Sequence, residues 1–185
     1  VWSAFLSAMV MAGSVLIVLC RVEIRLLSAA RYFEAWKYVP VLSIAMVFSA
    51  FASFMGSVYV VTEKSRLSFR TTLWGALANI LLNLLLIPRI GIQGAAIATL
   101  ASYVLCFSIR AVSARKLIPF PLRFTRLVFS AALLGIQSLL CFVNSPIQPI
   151  GQIVALLLLL VANRKPFVQT VQQLLHVVSS RTQKK

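Results

Sequence analysis

The sequence predicts an all-α fold, a polytopic membrane bundle of six transmembrane helices. Three observations carry that expectation. The 185 residues are 61% hydrophobic, with a mean hydropathy of +0.96, whereas soluble domains are about 45–50% apolar. Residues 1–20, 38–62, 71–88, 90–109 and 127–163 carry no Asp, Glu, Lys or Arg, and a spanning helix needs about 20 mainly apolar residues. The net charge of +15 comes from 18 Lys and Arg against 3 acidic residues, gathered mainly between and after the apolar runs. In a soluble chain such a balance points to nucleic acid. Here it marks membrane topology, with anionic lipid head groups as natural contacts and no nucleic-acid partner.

The first span is Val1–Cys20. Ser3 and Ser7, and Ala4, Ala8 and Ala12, recur four residues apart, a spacing that lets helices approach closely. It starts without Met or a basic n-region, so a signal peptide is not expected and the start reads as a cut end. Arg21–Lys37 mixes Arg21, Arg25, Arg31 and Lys37 with Tyr32, Phe33 and Trp36. That is the composition of an amphipathic helix or loop at the membrane surface.

Tyr38–Thr62 is the second span. Its Ala45, Ser49, Ser53 and Ser57 form a weakly polar stripe facing a neighbouring helix or a water-filled cavity, the helix being preferred. Glu63–Arg70 reads as a short basic loop and Thr71–Ile87 as the third span. Gly75, Asn79 and Asn83 share one face of it, and amides are costly in lipid unless hydrogen-bonded, so the face points at protein or water. Pro88 is expected to end this helix, because it lacks an N–H to continue it.

Ile90–Ile109 is the fourth span, with Gly94, Ala98 and Ser102 on one small-residue line and Gly91, Ala95 and Thr99 on another. Arg110 is read as its cap, and 111–126 as a long basic loop. The 37-residue run 127–163 is cut at Asn144–Pro149, a polar turn with two prolines. That leaves Leu127–Val143, with Gln137 inside, and a short sixth span Ile150–Asn163 whose Leu156–Leu160 look lipid-facing. Residues 1–163 thus form one six-helix lobe, and 164–185 a basic tail with amphipathic helical spacing. Cys20, Cys106 and Cys141 sit in apolar runs and read as small buried hydrophobes.

Alternate links fall on opposite sides of a six-span chain. One set holds thirteen of the basic residues and the other five. The positive-inside rule places the richer set, with the tail, in the cytoplasm. The single His, the lack of Asp and the position of all three Glu in links argue against an enzyme, a metal site or a bound cofactor.

One stretch carries a resemblance. In Asn79–Tyr103 the order Asn79, Asn83, Pro88, Gly91, Gly94, Ala95, Ala96, Ala98, Thr99 resembles the signature of the bacterial Wzx-type polysaccharide flippases. These belong to the larger group that includes the multidrug (MATE) exporters and lipid II flippases. The resemblance implies the C-terminal lobe of a two-lobe MATE-like exporter in the bacterial inner membrane, its N-terminal lobe missing from this chain. It implies an undecaprenyl-pyrophosphate-linked oligosaccharide as partner, flipped by alternating access. Asn79, Asn83 and Gln137 are then candidates for sugar contact, and Arg70, Arg110 and Arg126, at cytoplasmic span ends, for the pyrophosphate. Pro88, Gly91, Gly94, Ala95, Ala98 and Thr99 form the helix-packing motif. The alternatives are a multidrug or lipid II exporter lobe, and a truncated membrane protein that transports nothing.

Overall fold

The computed structural model describes residues 1–118, 122–143 and 148–163. The described chain is all helical: α1 (Trp2–Leu27), a 3-10 helix (Ala30–Lys37), α2 (Val39–Val61), α3 (Ser65–Ile90), α4 (Ile92–Leu117), α5 (Phe124–Leu140) and α6 (Gln148–Asn163). Helices α1 to α4 are long and apolar enough to cross a membrane, the build of a multi-pass membrane protein. Helices α5 and α6 are apolar but shorter. At 1.5 Å per residue they reach only about 24–26 Å, against a hydrocarbon core of about 30 Å. The structure therefore supplies four full-length spans and two short helices where the sequence predicts six spans.

Several boundaries move. The expected Glu63–Arg70 loop is already helical from Ser65, and the turn between α2 and α3 is three residues with Glu63 at φ 55°. The expected 111–126 loop is helical to Leu117, so Arg110 lies inside α4 and caps nothing. Cations mark where a chain leaves hydrocarbon, not where its helix stops. A 26-residue helix is about 39 Å long and carries its last turns beyond the lipid core. Pro88 also does not end its helix: α3 runs on to Ile90. So close to a C-terminus its missing N–H forfeits one bond and no more. Gly91 makes the turn, at φ 59° and ψ −142°, with its N–H on the Ile87 carbonyl at 2.9 Å. The predicted 144–147 part of the polar turn and the 164–185 tail lie outside the described residues. Pro149 stands in the first turn of α6, where a missing N–H costs nothing.

Helix α2 packs chiefly against α4, and α4 also carries α3. The hairpin is tight because Gly94 faces backbone. A Cβ there would lie 2.6 Å from the Leu86 carbonyl oxygen. Where α1, α2 and α4 meet, Trp2, Phe5, Phe48, Phe51, Phe54 and Phe107 form an aromatic cluster, with Phe5 stacked on Phe54 at 4.8 Å. The indole N–H of Trp2 donates to the Leu122 carbonyl at 2.9 Å, so its one polar atom is satisfied.

A separate buried seam joins α1, α5 and α6. Ser14 donates to Gln137 Oε1 at 2.9 Å, and Gln152 donates to the Gln137 carbonyl at 2.9 Å. Ser7 donates to Asn163 Oδ1 at 3.0 Å. Of the five leucines 156–160, Leu159 is fully buried, while Leu157, Leu158 and Leu160 are exposed.

Cys20 and Cys141 bring their sulfurs to 4.0 Å across the α1–α5 contact, and Cys106 stands apart with its thiol on the Thr71 carbonyl. Mild oxidation with copper–phenanthroline should therefore remove Cys20 and Cys141 together from alkylation and leave Cys106 reactive once denatured. Peptide mass spectrometry that found any other pairing would place α1 and α5 wrongly.

Candidate functional site

The polar face of the bundle is a cavity of about 560 Å³ between α2, α3 and α4. Each helix contributes for a reason visible in its sequence. Helix α2 gives Ser49 and Ser53, two members of its four-residue stripe. At these two positions the stripe, expected to face a neighbouring helix, borders the cavity instead. Helix α3 gives Thr72 and Asn79, with Gly75 and Ala76 small enough to leave room. Helix α4 gives Ser102, Tyr103 and Arg110.

Arg110 is the only charged side chain lining this cavity among the described residues. Its Nε–H donates to Thr71 Oγ1 at 3.0 Å, its Nη1–H to the Ala52 carbonyl at 2.9 Å and its Nη2–H to Thr72 Oγ1 at 2.8 Å. Three neutral oxygens from two other helices thus fix the fork of the guanidinium. No carboxylate lies among the cavity's described lining, so the positive charge is held in place without being cancelled. Gly56 makes this possible, because a Cβ there would come within 2.8 Å of Nη1. Ionisable groups inside membrane segments are costly and face the bundle interior or water-filled cavities; Arg110 does so.

The predicted site residues separate. Asn79 and Arg110 both line the cavity. The Asn79 amide donates to Ser102 Oγ at 3.2 Å, and Asn83 donates to Asn79 Oδ1 at 3.0 Å. Asn83 thus supports the site from one turn away, its own Oδ1 buried without a partner among the described residues. Gln137 lies elsewhere, fully buried in the α1–α5–α6 seam. Arg70 is exposed on α3 and Arg126 stands in the first turn of α5; neither lines the cavity. Of the packing motif, Gly94 and Ala98 are buried between helices, while Thr99 lines the cavity with its hydroxyl on the Ala95 carbonyl at 2.8 Å.

Sequence reasoning misses Thr71, Thr72 and Tyr103 as site residues. Their role depends on which turn of α3 faces which turn of α4, and the only available signal was a pair of threonines at the basic end of a span. Gln152 and Asn163 are missed as seam residues for the same reason.

The arrangement can bind a neutral polar surface through hydroxyls and the Asn79 amide, and an anionic group through one fixed guanidinium. No protein-family model, curated protein or solved structure matches this chain.

Proposed function

We propose that this chain is one lobe of a membrane carrier for an anionic, sugar-bearing lipid, an undecaprenyl-pyrophosphate-linked oligosaccharide of O-antigen, capsule or exopolysaccharide type. The observation that carries the reading is the cavity between α2, α3 and α4. A mainly apolar bundle holds there a wall of hydroxyls and the Asn79 amide around one uncancelled arginine. Hydroxyls and amides suit sugar hydroxyls, a fixed guanidinium suits a phosphate, and the apolar outer faces suit a polyprenyl tail. The order of residues in Asn79–Thr99 supports the same reading by its resemblance to the Wzx-type signature. Transport then follows by rocking this lobe against a second one around the polar wall, which faces one side of the membrane and then the other. The work is binding and displacement with no bond made or broken, in the bacterial inner membrane.

The test is glycan export in a strain lacking its own flippase, complemented by this lobe within its full-length parent. Asn79→Ala should lower export severalfold, the size of about one lost neutral hydrogen bond. Ser53→Phe, which fills the cavity, should lower it further. Gln137→Ala, placed in the seam, should leave export per folded molecule unchanged. Normal export in both cavity variants would remove this cavity from the mechanism. A drug-efflux phenotype with unchanged surface glycan would favour the multidrug alternative.

A further inference from the structure

Away from the cavity, the end of α1 and the 3-10 helix enclose a second hollow of about 500 Å³, lined by Arg21, Val22, Arg25, Phe33 and Trp36. It adjoins a smaller one of about 350 Å³ that shares Arg25 and Phe33. Arg21 places its guanidinium 4.4 Å from the Trp36 ring centroid, and Arg25 places its own 5.8 Å from the Phe33 ring. Two planar cations are thus spread on two aromatic faces, spaced one helical turn apart on α1.

We infer that this hollow is a binding site for one anionic glycerophospholipid, its phosphate between Arg21 and Arg25 and an acyl chain along α1. Four independent features of the site lead there. Arginine forks match phosphate oxygens in pairs, and stacking on rings holds the fork flat and partly dehydrated. The neighbouring acids do not occupy it: Glu34 is tied to Lys37, and neither Glu34 nor Glu23 lines the hollow. Arg21 is anchored by one Nη2–H on the Cys141 carbonyl at 3.3 Å, while its Nε is buried without a partner among the described residues. Finally, Val15, Leu19, Val22 and Leu26 are all exposed and follow one another at four, three and four residues. They form one apolar track on α1, and Val22 belongs to both track and hollow.

The track decides for a lipid over a soluble phosphate. A free anion needs only the arginines, whereas an exposed apolar strip leading from them fits a chain attached to the phosphate. The lining charges decide for an anionic head group over a zwitterionic one, because a choline ammonium would be forced against two guanidiniums. Trp36 beside two arginines is a composition that suits the head-group zone. The inference rests on membrane insertion of α1 and not on the transport reading.

Delipidated chain in detergent, titrated with phosphatidylglycerol or phosphatidylcholine and read by native mass spectrometry, tests it. One phosphatidylglycerol should be retained about fivefold or more over phosphatidylcholine, the scale of one arginine near an anionic head group. Arg25→Gln, at an exposed position that leaves the fold intact, should erase that preference, and Trp36→Leu should weaken it. Arg31→Gln, outside the hollow, should preserve it. Millimolar glycerol phosphate should fail to displace the lipid. No preference in the unmodified chain, an undiminished preference in Arg25→Gln, or displacement by glycerol phosphate would each overturn the assignment. Retention of transport defects or of normal transport in these variants bears on the carrier reading alone.

Discussion

Replacing Gly94 with Val should abolish the folded, detergent-stable protein. The hairpin α3–Gly91–α4 brings two backbones together at this residue. An added Cβ would sit 2.6 Å from the Leu86 carbonyl oxygen, 2.7 Å from its carbon and 3.0 Å from the Ile87 nitrogen. All three are backbone atoms of a helix, so no rotamer change relieves the contact. Overpacking costs about 1–3 kcal/mol where side chains can shift, and more where they cannot, so Val is expected at or beyond about 3 kcal/mol. Since α3 touches little besides α4 and the edge of α2, losing this contact frees the whole helix. Fluorescence-detected size exclusion should show the monodisperse peak replaced by aggregate, and Gly94→Ala should fall between the two. Gly135→Ala provides the control, because a Cβ at Gly135 meets nothing within 4 Å. A Gly94→Val protein that eluted and melted like the parent would mean that α3 and α4 do not meet at this residue.

That hairpin was legible in the sequence, and the reason separates what could be read from what could not. Two uncharged apolar runs around Gly91 and Gly94, with a single Arg89 between them, leave little freedom in how the chain folds back. The register of small residues along Gly94, Ala98 and Ser102 names the packing face, because one helix's own periodicity fixes it. Boundaries were less legible. Charge alone reads Arg66, Arg70, Arg115 and Lys116 as loop residues, yet all four stand within α3 or α4. Least legible were pairings between distant helices. Ser14 meets Gln137 across 123 residues of sequence, and nothing in either segment alone states that their turns coincide. Gln137 and Asn79 looked alike as polar residues in apolar helices. One proves to be a tie between three helices and the other part of a cavity wall. The two differ in what closes on them. Ser14 and Gln152 meet Gln137 directly, whereas around Asn79 the small Gly75 and Ala76 of its own helix and Ser49 and Ser53 of α2 leave space.

Arg110 allows function and stability to be pulled apart, and two variants should do so in the same direction. Arg110→Gln should lower glycan export by roughly ten- to a hundredfold, the size of a lost charged hydrogen bond of about 1.5–3 kcal/mol. It should leave thermal stability within a few degrees. The second half of that expectation follows from what Arg110 leaves behind. Thr71 and Thr72 each keep a hydrogen bond from their own hydroxyl to the Ser68 carbonyl, at 2.9 and 3.0 Å. The third partner, Ala52, offers a carbonyl within helix α2. Removing the guanidinium therefore strands no donor, and it relieves the desolvation of a charge that no carboxylate balances. Gly56→Ala reaches the same site from α2. Its Cβ would stand 2.8 Å from Nη1 and 3.4 Å from Cζ, the mobile end of a long side chain, so the guanidinium swings off the Ala52 carbonyl at small cost. Ala also favours the helix over Gly by about 1 kcal/mol, which offsets that cost. Gly56→Ala should thus melt no earlier than the parent and still export poorly. A merely structural arginine would give the opposite pair of results, with lower melting temperatures and export restored once protein levels are matched. Normal export in both variants would deny the cavity its anion-holding role, because both leave the fold in place and move only the charge.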